Sequence, residues 1–309
     1  MSFLDFFKGK KSNGDRASLV INDQFLEVLQ LRKSGGQMHL MSFNRAVLPA
    51  GVVENGMIVN ESAFQKALLQ LAESAKPQPL STQKMTVAVP FGQLFSFIKK
   101  GNSRSDAEAS KKLLTEEIRK ESPVSPEEMS LQFYSDSQGH KFTYGAIAWL
   151  RSWESAVREA LGEIGVQSIE FIPEPLAQWA IAESPSAGNF ALGSWQDDKL
   201  FLSLFYHNLL YDSFLLECRG KTLNEGLEAY FDQFSEEAKA YLEVWSTPLQ
   251  TFYLINAPEA ARPVIDAMAK KEGLSHSYLD EYKTSLAGQL EAQKYSATLM
   301  GLALLAFKE

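Results

Sequence analysis

A two-lobed α/β fold, with a smaller α/β unit between the two repeated halves, is the fold class this sequence predicts. The chain has 309 residues, more than a single hydrophobic core usually organises. Strand-like runs with a period of two alternate with helical runs along its length. The order strand–strand–strand–helix–strand–helix occurs near both ends, which suggests two related lobes.

Residues 1–16 are an aromatic and basic opening followed by a polar, glycine-containing linker. The first lobe is expected over 17–83. ASLVINDQFLEVLQL, 17–31, reads as two strands joined at Asn22-Asp23, an Asx-rich reversal between apolar runs. MHLMSFNRAVL, 38–48, is a third strand, and LPAGVVENGMIVN, 48–60, a loop punctuated by Pro49, Gly51 and Gly56. A helix over 61–75 carries Phe64, Ala67, Leu68 and Leu71 on one stripe.

The inserted subdomain is expected over 84–165. It begins with KMTVAVP, a strand closed by Pro90, and continues with a strand over 93–100 and a helix over 106–121. A strand pair over 129–135 and 141–149 follows, around the turn SDSQGH, then a helix over 152–164. Residues 166–186 return to the first lobe as the strand VQSIEFI and a helix opened by PEP, with proline in its first turn. The second lobe, 187–289, has strands near 189–193, 199–206 and 209–217, a helix over 222–244, a strand over 251–255 and a helix over 258–272. A helix from about 290 to 307 closes the chain within a last segment, 290–309, expected to pack back towards the first lobe.

A net charge of −8 argues against broad nucleic-acid binding, which needs cationic surface. Cys218 is the single cysteine, so no intramolecular disulfide forms, and a reducing compartment fits. His39, His140, His207 and His276 are scattered and share no metal-ligand spacing with a cysteine or carboxylate. No run reaches the roughly 20 apolar residues of a membrane-spanning helix. At the N-terminus, Phe3, Leu4, Phe6 and Phe7 share a helical face ahead of Lys8, Lys10 and Lys11, the reverse of a secretory signal. That segment reads either as a weak interfacial anchor, with aromatics in lipid and lysines on anionic headgroups, or as a tail docked on the protein itself.

Four stretches carry a family resemblance: MSFLDFFKGKK, LPAGVVENGMIVN with Leu48, Pro49, Gly51, Val52, Val53, Gly56 and Ile58 in pattern, KMTVAVP, and VQSIEFIPEPLAQWA. They resemble the type IV pilus assembly PilM family and its mannose-sensitive pilus counterpart MshI, in the actin-like ATPase superfamily, with FtsA a more distant relative. The resemblance implies an actin-like (ribonuclease H-like) two-lobed fold with a small inserted subdomain. It implies a cytoplasmic protein, peripheral at the bacterial inner membrane. Its partner would be the short cytoplasmic tail of a PilN-like single-pass protein, held in a groove between the first lobe and the inserted subdomain. Other pilus assembly or motor components and self-association are further partners to be considered.

The family also implies bound Mg-ATP, and here the sequence departs from it. Such a site needs two Asp-x-Gly hairpins whose backbone N–H groups reach the phosphates, with aspartates holding the metal, and glycine leaves the space for the phosphate. The first hairpin instead reads Val20-Ile21-Asn22, then Asp23, with Glu27 where the family has lysine. In the second, the acid position is Ser203 or Leu204 and the glycine Phe205 or Tyr206. The adenosine-side Gly-Gly is Asn256-Ala257. Tight Mg-ATP binding is not expected, and no cofactor or metal is predicted. No Walker loop, G-x-G-x-x-G or G-x-S-x-G occurs. His207 near Asp212 and Ser213 reads as turn or surface chemistry rather than a hydrolase.

The resulting expectation is a non-catalytic scaffold, a pseudo-ATPase, of a pilus inner-membrane complex. The alternatives are a divergent, weakly active actin-like ATPase and an FtsA-like polymer-forming protein. The partner groove is placed at Leu48, Pro49, Gly51, Val52, Val53, Gly56 and Met57, with Val52, Val53 and Met57 receiving the tail. The bland reading of the same loop is that it only reverses the chain.

Overall fold

The apolar run from Ala17 to Ile21 lies at the middle of a sheet and is buried on both faces, as a strand with neighbours on each side and layers above and below must be. The computed structural model describes residues 15–35, 37–101, 107–138, 141–182, 188–196, 199–206, 209–217, 223–245, 248–279 and 295–307. The expected membrane contacts Phe3, Phe6, Phe7, Lys8, Lys10 and Lys11 lie outside them. The chain divides into two units, Met1–Glu183 with Tyr282–Glu309, and Ser184–Glu281.

In the first unit, β1 (Asp15–Ile21), β2 (Phe25–Ser34) and β3 (Gln37–Val47) form an antiparallel meander. The 48–60 stretch, read as a loop, contains a small hairpin of β4 (Val53–Glu54) and β5 (Met57–Ile58). Helix α1 (Glu61–Glu73) starts where the Asn60 side chain accepts the Ala63 N–H, an N-cap that satisfies one of the helix's free donors. The two-residue β6 (Lys76–Pro77) and β7 (Lys84–Val89) follow. The inserted sheet comprises β8 (Phe95–Gly101), β9 (Met129–Gln138) and β10 (Lys141–Leu150). It runs in the order β8-β10-β9. Helix α2 (Ala107–Glu121) covers one face of it, with Leu114 and Ile118 against Tyr144, Ala146 and Ala148. Helix α3 (Arg151–Glu163), β11 (Ser168–Pro173) and the fully buried α4 (Glu174–Trp179) lead back. The main sheet has the order β11-β7-β1-β2-β3-β6, with β7 parallel to both β1 and β11.

The second unit repeats that order. Its strands are β12 (Phe190–Gln196), β13 (Lys199–Tyr206), β14 (Leu209–Glu217), β15 (Thr251–Ile255) and β16 (Ser275–Tyr278), with α5 (Leu223–Trp245) and α6 (Arg262–Lys271). The sheet runs β14-β13-β12-β15-β16, an antiparallel meander flanked by two parallel strands on the far side of its first strand. β16 was not anticipated, because SHSY is short, polar and at a sheet edge. Phe234 of α5 stacks on Phe252 of β15 at 5.3 Å.

The last helix, α7 (Ala297–Phe307), belongs to the first unit and packs on α4, β1 and β7. Its sequence ATLMGLALLAF is apolar all round, which marks a helix buried on all sides. The contact with α4 is closest at Gly301, where an added Cβ would lie 1.8 Å from the Ala177 carbonyl oxygen. Thr298 Oγ1 and Gln178 Nε2 both donate to buried Glu174 Oε1, at 2.8 and 3.2 Å. That network joins the two helices and gives the Glu174 carboxylate, the Thr298 hydroxyl and the Gln178 amide nitrogen partners in the core.

Candidate functional site

The β1–β2 turn is closed by its own side chain. Asn22 N–H donates to the Phe25 carbonyl at 3.1 Å, and Asn22 Oδ1 accepts the N–H groups of Gln24 and Phe25 at 2.9 and 2.7 Å. These are donors that a phosphate-binding turn would present to its ligand. Val20, at the metal-side aspartate position, is buried in the sheet.

Asp23, the next residue, reaches across to the β4–β5 hairpin. Its two carboxylate oxygens accept the N–H groups of Asn55 at 2.9 Å and Gly56 at 2.8 Å. Asn55 and Gly56 have φ of 51° and 76°, the left-handed pair that a two-residue type I′ hairpin demands. The N–H groups at the tip of such a turn have no partner in the ladder, and Asp23 takes both. The other side of the turn rests on the segment after β7. A Cβ at Gly56 would come 2.8 Å from Pro90, and one at Gly92 would come 2.3 Å from the Asn55 carbonyl oxygen. Gln93 Nε2 donates to that same oxygen at 3.3 Å. Three separated pieces of sequence, 22–25, 53–58 and 90–93, are thus locked together where the main sheet gives way to the inserted subdomain.

This geometry revises the expected partner groove. Val52 and Val53 face the protein's own core, as does Leu48, and Gly56 is covered by Pro90. Pro49 is exposed and Gly51 half-buried. The apolar side chains the segment does present are Val47 (83% exposed), Val59 (58%) and Met57 (36%). The dipeptide Asn55-Gly56 was the signal that could have revealed the hairpin, and Phe91-Gly92-Gln93 the close approach beside it.

In the second unit, the stretch where the resemblance implied a second phosphate hairpin is filled with side chains. Ser203 is buried, with its Oγ 2.9 Å from Ser213 Oγ. Leu204 and Phe205 are fully buried. Phe205 stacks on Phe190 at 4.5 Å, and its carbonyl accepts the Tyr241 hydroxyl at 3.0 Å. Tyr206 and Tyr211 flank Tyr241 at 6.4 and 5.3 Å. His207 lies outside the described residues, and Ser213 Oγ pairs with Ser203 Oγ. Asn256 keeps a left-handed backbone, φ 56°, which asparagine tolerates better than other residues that carry a Cβ. Ala257 after it is buried.

Glu27, where the resemblance implied a lysine, is fully buried. Its carboxylate accepts the Ser296 N–H, 3.3 Å from each oxygen, just ahead of α7. Phe43 and Tyr295 meet edge to face nearby at 4.7 Å. Burial pushes the Glu27 carboxyl above the usual carboxylate range, against the opposing pull of Ser296 and the Arg45 charge. Among the described residues, no cluster of three or more histidine, cysteine or acidic side chains could hold a metal, and no helix is long and apolar enough to cross a membrane.

A chain of a solved PilM–PilN type IV pilus biogenesis complex is similar over 96% of this chain and 99% of its own length, at 15% identity and a TM-score of 0.71. The cytoplasmic domain of EpsL, an inner-membrane component of the Vibrio cholerae type II secretion system, is similar over 96% of both chains, at 12% identity and a TM-score of 0.51. Family models and curated proteins give no match. At these identities the likeness establishes the fold: actin-like, two α/β units with an inserted subdomain.

Proposed function

We propose that this protein is a non-catalytic actin-like scaffold at the cytoplasmic side of an inner-membrane pilus assembly, binding the cytoplasmic tail of a PilN-like protein. The observation that carries the non-catalytic half is the first hairpin, whose Asn22 side chain consumes the turn's own N–H donors. Buried aromatic side chains where the second hairpin needs glycine support the same reading. The partner half is supported by the likeness, over nearly the whole of both chains, to a protein solved in a PilM–PilN complex. The tail-binding surface belongs at the exposed side of the 47–59 segment, with Val47, Met57 and Val59, rather than at the buried Val52 and Val53.

Thermal unfolding with and without millimolar Mg-ATP tests the first half. A ligand at a hundredfold over its dissociation constant stabilises by about 2.7 kcal/mol, so a clear rise in Tm would overturn it; no rise is expected. Isothermal titration with a synthetic PilN-like tail tests the second. Met57→Asp and Val59→Asp, both on exposed positions, are expected to weaken binding about tenfold or more while leaving Tm within a few degrees. The left-handed Asn256 favours the weak-ATPase alternative, since it keeps the backbone shape of an adenosine-side turn, and the same Mg-ATP measurement separates the two readings.

A further inference from the structure

We infer that Asp23 is a built-in anion that holds the partner-binding hairpin in place, so that the platform is set permanently and needs no nucleotide. The inference rests on the scaffold reading above and adds to it how the site is controlled.

A two-residue hairpin tip leaves two N–H groups pointing away from its ladder. Successive N–H groups in a left-handed turn form a small concavity that suits an anion. Here the anion is supplied by the chain itself, at 2.9 and 2.8 Å, from the turn that occupies the first phosphate-loop position. Asp23 sits 32 residues before Asn55, so the contact is a long-range clasp and not a local turn. The turn it comes from is rigid in its own right, through the bonds that Asn22 makes to Gln24 and Phe25. Opposite the clasp, the Asn55 carbonyl lies over Gly92 and receives Gln93 Nε2. Both sides of the tip are therefore fixed, and Met57 and Val59 leave it at a set position. The carboxylate braces the hairpin at all times.

The test uses the full chain with Asp23→Ala and Asp23→Asn, and a synthetic PilN-like tail as probe. Asparagine keeps one acceptor oxygen without charge, so it retains part of the clasp. Affinity is expected to fall about tenfold in Asp23→Ala and by less in Asp23→Asn. Sodium acetate, compared with sodium chloride at equal ionic strength, is expected to restore part of the loss in Asp23→Ala by occupying the emptied turn. The Asn55 and Gly56 amides are expected to exchange at least about tenfold faster in Asp23→Ala, with the amides of β1 unchanged. The unaltered protein should bind the tail equally with and without Mg-ATP. Tail binding that is unchanged in Asp23→Ala overturns the clasp and leaves the scaffold standing, whereas tail binding that requires Mg-ATP overturns both the clasp and the nucleotide-free half of the scaffold reading. A tail that does not bind the unaltered protein overturns the scaffold reading instead. The clasp is then decided by exchange alone: faster exchange at Asn55 and Gly56 supports it, and unchanged exchange overturns it.

Discussion

Asp23 and Glu27 lie four residues apart in one hairpin, and their surroundings give them opposite tasks. Asp23 is half-exposed and serves as an acceptor for two N–H groups. Glu27 is fully buried and is held above the usual range, chiefly by desolvation. A carboxyl raised in the folded state lends stability below its unfolded range, and that contribution is lost as pH rises through the raised value. Glu27→Gln keeps an oxygen for the Ser296 N–H and has no charge to desolvate. Urea titrations of the variant should therefore lack this part of the fall in stability between mildly acidic and mildly alkaline pH. At the alkaline end it should match or exceed the unaltered protein, and a variant clearly weaker there would contradict the assignment. Arg45 is the charge that acts on Glu27, and Glu27 in turn adds to burial in raising the Tyr295 hydroxyl. That the acids and glycines the resemblance implies are missing at Val20, Asn22, Ser203 or Leu204, Phe205 or Tyr206, and Asn256 is plain in the sequence. What took their place is not. Nothing in the string VINDQF tells that Asp23 would find its donors at Asn55 and Gly56, because that pairing is made by folding and has no periodic signal.

At the scale of elements, the long strands and helices were legible because each has an apolar face to bury. Helix α3 is a clear case: Trp153, Val157, Ala160 and Leu161 recur at helical spacing and are all buried. The 48–60 segment was harder. Its strands β4 and β5 are two residues each, too short for alternation to register, and only Asn55-Gly56 betrays them. Val52 and Val53 looked like free apolar surface for the same reason. Two neighbouring β-branched residues in a glycine-rich loop do not reveal which way they point. The tightness of the seat yields a prediction. Gly92→Ala would place a methyl 2.3 Å from the Asn55 carbonyl oxygen, and backbone must move to admit it. A loss of about 2 kcal/mol is expected by urea denaturation, together with faster exchange at the hairpin tip. Loss of tail affinity without that exchange would contradict the seat.

Across the whole molecule, the repeated order of strands was visible in the sequence, and both sheets share it, β11-β7-β1-β2-β3 in one unit and β16-β15-β12-β13-β14 in the other. The units differ in what their cores can tolerate. Gly301→Ala drives a methyl to 1.8 Å from the Ala177 carbonyl oxygen, so α7 must pull away from α4, at a cost of about 3 kcal/mol. Scanning calorimetry should show the first unit's transition falling while the second unit's stays in place. A single transition shifted as a whole would mean that the units unfold together. The second unit carries its own constraint, in the aromatic side chains at the end of β13. Phe205 is stacked on Phe190, and its backbone oxygen is held by Tyr241. Cutting Phe205 back to glycine would open a void and cost about 3–5 kcal/mol, a large part of the 5–15 kcal/mol that typically separates a folded chain from an unfolded one. Emptying this end of β13 to admit any ligand would first cost the sheet that packing. The packing of Phe205 works as a keystone: its ring is held by β12 and its backbone oxygen by α5, so the end of β13 opens only if both let go.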